Sequence, residues 1–126
     1  MQYNRELLFG SWYRADTDDN GNVISESSVI TADGSYEFTF IVYDAQGHVM
    51  EQSVELGDWG LVGDIHFTLA KSEFIDKAHY AADLNDADNY HAYNVLKLNS
   101  QIFKYQHVIT NEVFILKRVV DKIGYC

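Results

Sequence analysis

From about residue 9 onward, apolar and polar side chains alternate in short runs, the period-two signature of half-buried strands. The runs are rich in Val, Ile, Tyr, Phe and Thr, the residues that fit a pleated surface. Turn-forming pairs divide them: Asn20-Gly21, Asp33-Gly34, Gly63-Asp64, Asn99-Ser100 and Thr110-Asn111. Ala45-Gln46-Gly47 suits a three-residue loop with Gly in the left-handed position. Strands are expected at roughly 9–17, 22–32, 35–43, 48–56, 58–62, 65–70, 90–98, 101–109 and 112–120. Turn signals at about every dozen residues are the pattern of a barrel or sandwich. The stretch at about 71–88 breaks the alternation and reads either as a short helix capped by Ser72, with Phe74, Ala78 and Ala81 or Ala82 on its apolar side, or as a long loop.

Hairpin geometry decides which side chains share a face, because directly opposed residues of a hairpin lie on the same side. Two-residue turns set Trp12 opposite Val29, Arg14 opposite Ser27, Val29 opposite Phe38, Ser27 opposite Phe40, Asn94 opposite Tyr105 and Phe103 opposite Arg118. The three-residue loop sets Phe38 near Val54 and Phe40 near Gln52. One face then collects Trp12, Val29, Phe38, Phe40, Met50, Val54, Leu56, Leu96, Phe103, Phe114 and Leu116. The other holds Tyr13, Glu26, Ser28, Glu37, Glu51, Ser53, Glu55, Lys97, Lys104 and Lys117. Trp59 is left open: a two-residue Gly63-Asp64 turn puts it outside, a three-residue turn inside.

The chain has 126 residues, 47% hydrophobic and 22% charged, which suits one globular domain spanning 1–126. It has no proline, so every position can donate to a ladder. The formal charge of −10 makes nucleic acid and anionic membranes poor partners. No apolar run reaches the ~20 residues of a membrane span. The lone cysteine, Cys126, permits no internal disulfide, and with no leader-like N-terminal run the expected compartment is the cytoplasm.

Phe9-Gly10-Ser11-Trp12 resembles the Gly-x-Trp motif on the first strand of the lipocalin-like (calycin) barrels. The runs Gly34-Ser35-Tyr36-Glu37-Phe38, Gly57-Asp58-Trp59 and Gly63-Asp64-Ile65 are similar to those of small bacterial lipocalin-like domains. The resemblance covers about residues 9–120. It implies an antiparallel up-and-down barrel of about eight to ten strands around a ligand cavity. It also implies that Arg118, on the last strand, stacks over Trp12 at the closed end, where cation–π attraction supplies the physical reason.

The inward face is not purely apolar. It is expected to carry Arg14, Ser27, Tyr36, Gln52, Asn94, Tyr105 and His107 beside Phe38 and Phe40, the mix of apolar wall and few polar groups typical of a binding site. Arg14 is the candidate anchor for an acidic head group. The expected function is a non-enzymatic carrier or sensor of a small hydrophobic or amphipathic molecule. The alternatives are a small enzyme using Tyr105 and His107 as an acid–base pair, and an interaction module with a filled core. Asp16-Thr17-Asp18-Asp19-Asn20-Gly21 resembles the start of a calcium loop but has Ser27 where the bidentate Glu belongs. His48, His66, His79, His91 and His107 show no ligand spacing. No metal or cofactor is therefore expected. The outer strip Ile102, Val108, Val113, Ile115 and Val119 is apolar in the manner of a homodimer surface.

Overall fold

The computed structural model describes residues 3–119. The end of the last expected strand at Val120, and Cys126, lie outside them. The strands are β1 (Gly10–Thr17), β2 (Val23–Ile30), β3 (Ser35–Tyr43), β4 (Val49–Val62), β5 (Ile65–Ile75), β6 (Ala78–Ala81), β7 (Tyr90–Leu98), β8 (Ile102–His107) and β9 (Val113–Arg118). All pairings are antiparallel, in the order β4-β3-β2-β1-β9-β8-β7-β5-β6. Pairing of β4 with β5 closes eight strands into an up-and-down barrel and leaves β6 outside. Among the described residues no helix is long and apolar enough to cross a membrane.

Two departures from the expected elements have clear causes. β4 runs unbroken through Gly57, where the expected strands 48–56 and 58–62 are separate. A side chain at Gly57 would place its Cβ 2.0 Å from the Leu69 carbonyl oxygen and 2.8 Å from the Tyr36 ring, so glycine here permits close strand approach. The 71–88 stretch holds no helix at Ser72. Instead β5 continues to Ile75 and folds back as β6 through Asp76 and Lys77, whose φ values of 49° and 79° form a primed turn without the usual glycine.

The hairpins at Asn20-Gly21 and Asp33-Gly34 are three-residue turns, not two-residue ones. Asp18 N–H bonds to the Asn22 carbonyl at 2.9 Å, and Thr31 N–H to the Ser35 carbonyl at 3.0 Å. Gly21 and Gly34 take the left-handed position, with φ of 82° and 93°. Each turn slips the register by one residue, which reverses the face of a strand. β2 lies between the two slips, so it alone turns over while β1 and β3 keep their expected faces. Ile30 is 4% exposed and Val29 38%. Glu26 and Ser28 therefore point inward, and Ser27, opposite Tyr13, points outward.

Irregularities reverse two more strands. A shift between Val42 and Tyr43 sets Phe38 opposite Glu55 and Phe40 opposite Ser53, so Glu55 faces in and Gln52 faces out, next to Val54 and Phe74. A shift between Val95 and Lys97 turns Tyr93 and Val95 in and leaves Asn94 exposed and Leu96 43% exposed. Gly63-Asp64 is a two-residue turn, with Val62 opposite Ile65, yet Trp59 is 5% exposed. The shifted β3–β4 register, not the turn, brings it inside. β8 and β9 pair two residues away from expectation, Tyr105 with Phe114 and Phe103 with Leu116, and a slip of two leaves faces unchanged.

The core lies at the end where η1 (Arg5–Leu8), a 3-10 turn, plugs the barrel. Leu8, Trp12, Phe103 and Leu116 are almost wholly buried there. Arg118 sits 4.0 Å over the Trp12 ring and donates to the carbonyls of Leu7 and Phe9, and to that of Ser100 at 3.1 Å. The expected Arg–Trp stack is thus present. Its role also includes satisfying carbonyls of the plugging segment. A second stack, Arg5 at 4.5 Å over Trp59, had no signal in the sequence because η1 precedes the first alternating run.

Candidate functional site

Above this floor, toward the loops at 18–22, 44–48 and 107–112, the barrel encloses a cavity of about 250 Å³. Its walls alternate by strand, as inward positions must. β2 supplies Glu26, Ser28 and Ile30, and β3 supplies Tyr36 and Phe38. β4 and β5 add Glu55, Trp59, His66 and Thr68. The far wall is His91, Tyr93, Phe103, Tyr105, Phe114 and Leu116. The rings interlock: Phe103 and Tyr105 centroids are 4.4 Å apart, Tyr93 and Tyr105 4.9 Å, and Tyr105 and Phe114 5.2 Å. Such offset and edge contacts fix ring positions.

Of the sequence-predicted site residues, Tyr36, Phe38 and Tyr105 line the cavity. Phe40 lies on the inward face above it, opposite Glu26. Ser27, Gln52 and Asn94 do not contribute, for the register reasons above. Glu26, Glu55, His66 and Tyr93 also line it; three-residue turns at Asn20-Gly21 and Asp33-Gly34 would have pointed to Glu26, whereas Glu55 and Tyr93 follow from register shifts within the strands.

Arg14 faces in, but not toward Ser27 and Gln52. It donates to both carboxylate oxygens of Glu26, at 2.7 and 3.3 Å, and stacks 5.1 Å from the Phe114 centroid. The side chains are 24% and 13% exposed. Burial opposes the charge on Arg14, and the bond and attraction from Glu26 outweigh it, so its pKa is raised. The guanidinium fork is thus already occupied by a carboxylate of the protein itself.

Glu55 is the cavity's other carboxylate. Its Oε2 accepts a 2.6 Å bond from the Tyr36 hydroxyl, and among the described residues no cation forms an ion pair with it. Burial first, then the Glu55 bond, drives the Tyr36 hydroxyl pKa upward. Burial and then the Glu55 charge push Tyr93 up to about 12. All these phenols remain protonated donors at neutral pH.

His66 is 5% exposed and packed among Trp59, Tyr93, Phe103 and Tyr105. Its Nδ1 is buried without a hydrogen-bond partner among the described residues. Desolvation lowers its pKa to about 4, with a bond to the Gly60 backbone offsetting part of the effect. The ring is therefore neutral.

At the mouth, His107 Nδ1 accepts the backbone N–H groups of Ile109 and Thr110 at 3.1 and 3.3 Å. A nitrogen that accepts is unprotonated, so Nε2 carries the proton and donates it to His91 Nδ1, 3.1 Å away. Both ring nitrogens of His107 are engaged. Burial drives the Tyr105 hydroxyl pKa upward. In this geometry neither ring nitrogen of His107 is turned to the Tyr105 hydroxyl.

The Asp18 carboxylate accepts the N–H groups of Asn20 and Asn22, each at 2.9 Å, so the calcium-like run is a hairpin turn held by its own aspartate. Among the described residues no cluster of three or more His, Cys, Asp or Glu converges as metal ligands do. Val108, Val113, Ile115 and Val119 on the outer strip are exposed.

A scan against protein-family models finds none that matches the chain. A search of curated proteins finds no similar one.

Proposed function

We propose that this is a lipocalin-like carrier or sensor that holds one small hydrophobic or amphipathic molecule in the barrel. The observation behind this reading is the cavity itself: about 250 Å³, larger than the roughly 150 Å³ apolar cavity that takes up benzene. It is smaller than the sites of most drug-sized ligands, which start at about 300 Å³. The occupant is therefore a compact molecule of one ring or a short branched chain, not a long fatty acid. Aromatic walls with a few inward polar groups orient such a ligand without reacting with it.

The test fills the space. Ser28 lines the cavity opposite Phe38, and Ser28→Phe adds a ring where the ligand would lie. Titration with 2-phenylethanol, followed by tryptophan fluorescence through Trp59 in the wall, should show saturable binding in the wild type. In Ser28→Phe the affinity should fall at least about tenfold. Equal affinity in a folded Ser28→Phe protein would place the alcohol elsewhere.

A further inference from the structure

We propose that the preferred occupant of this cavity is a small organic cation, a protonated amine on an aromatic or compact apolar body, with Glu55 as its counter-ion. The inference rests on the cavity being the binding site and adds the charge of its ligand. It reverses the expectation from sequence that Arg14 anchors an acid.

Charge bookkeeping inside the barrel comes first. Two carboxylates, Glu26 and Glu55, reach the cavity. Arg14 neutralises the first through two hydrogen bonds. The second has a neutral phenol as its partner and no cation among the described residues. An incoming carboxylate would face Glu55 with no free guanidinium to receive it. An incoming ammonium would complete the pair that Glu55 lacks.

The walls point the same way. Trp59, Tyr93, Phe103, Tyr105 and Phe114 present π-systems whose faces attract cations. Rings around this chamber already hold cations: Arg5 lies 4.5 Å from Trp59 and Arg14 5.1 Å from Phe114. The buried His66 Nδ1 without a partner marks a second place where a polar ligand atom gains a bond. A protein of net charge −10 also draws cations toward its surface at low salt.

The experiment compares three probes of one shape at pH 7: 2-phenylethylamine, 2-phenylethanol and phenylacetate, titrated calorimetrically into wild type and Glu55→Gln. The amine should bind at least about tenfold more tightly than the alcohol, as a charge-assisted bond requires, and phenylacetate should bind most weakly. Glu55→Gln should remove the amine's advantage and leave the alcohol within about twofold. If alcohol and amine bind wild type equally, or if the amine keeps its advantage in Glu55→Gln, the cation assignment fails while the cavity reading stands. Tightest binding of phenylacetate would overturn it in favour of Arg14. If none of the three binds, the cavity reading fails and takes the cation with it. The wild-type ranking decides the matter even if Glu55→Gln does not fold.

Discussion

Replacing Trp12 with Ala is expected to cost about 3–5 kcal/mol of stability, the range for deleting a large buried aromatic. Trp12 has no exposed surface and packs 5.7 Å from Phe103. Its indole N–H donates to the Leu8 carbonyl at 3.0 Å, so it also holds the plug in place. Removing it leaves the Arg118 guanidinium over a void and frees η1 from the barrel floor. Urea unfolding with an unchanged m value would measure this directly. A loss under about 1 kcal/mol would mean that the closed end is not organised around this ring.

The second large effect is a dependence on pH. His66 is held to about 4 in the fold, against about 6.5 in an unfolded chain. Between those values the unfolded state binds the extra proton, so stability rises with pH through the window and is lost as pH falls from about 6.5 toward 4. A shift of this size corresponds to about 3 kcal/mol. Asp33 acts in a separate, lower window. Thr31 and Ser35 hold it near 2, so its contribution fades only as pH drops below the ordinary carboxylate range. His66→Leu, of similar bulk and with no proton to gain, should flatten the stability profile between pH 6.5 and 4.5. An equally steep profile in the variant would assign the acid sensitivity to another group.

The strands could be read from the sequence because alternation is a local property, and each expected run outside 71–88 became a strand or part of one. Alternation put Trp12 and Arg118 on one face, and the resemblance to lipocalin-like barrels, not the alternation, implied that they stack at the closed end. Faces were harder, because they depend on turn length. Asn20-Gly21 and Asp33-Gly34 are compatible with both two- and three-residue turns, and the choice of the shorter turned β2 over, hiding Glu26 and Ser28. Irregular pairing at Val42/Tyr43 and Val95/Lys97 then displaced Glu55 and Tyr93. No residue type marks these shifts in advance, since each is settled by packing across the closed barrel. Trp12, Phe103 and Leu116 in the cavity's floor were therefore visible, whereas Leu8, Ile30, Trp59 and Val95 beside them, and the polar groups that decide what it binds, were not. Arg14 shows how much this matters. Set opposite Ser27 it is a free anchor, and set opposite Glu26 it is one half of an ion pair.

That an inward-facing chamber holds the ligand is tested most directly by a two-dimensional amide NMR titration with 2-phenylethylamine. Saturable shifts should concentrate at Ser28, Glu55, Thr68, Tyr93 and Tyr105, whose side chains line one space from five different strands. Outward residues of the same strands, such as Ser27, Gln52, Asn94 and Lys104, should move little. Shifts confined to outward positions, or none at saturating probe, would contradict a binding cavity inside this barrel.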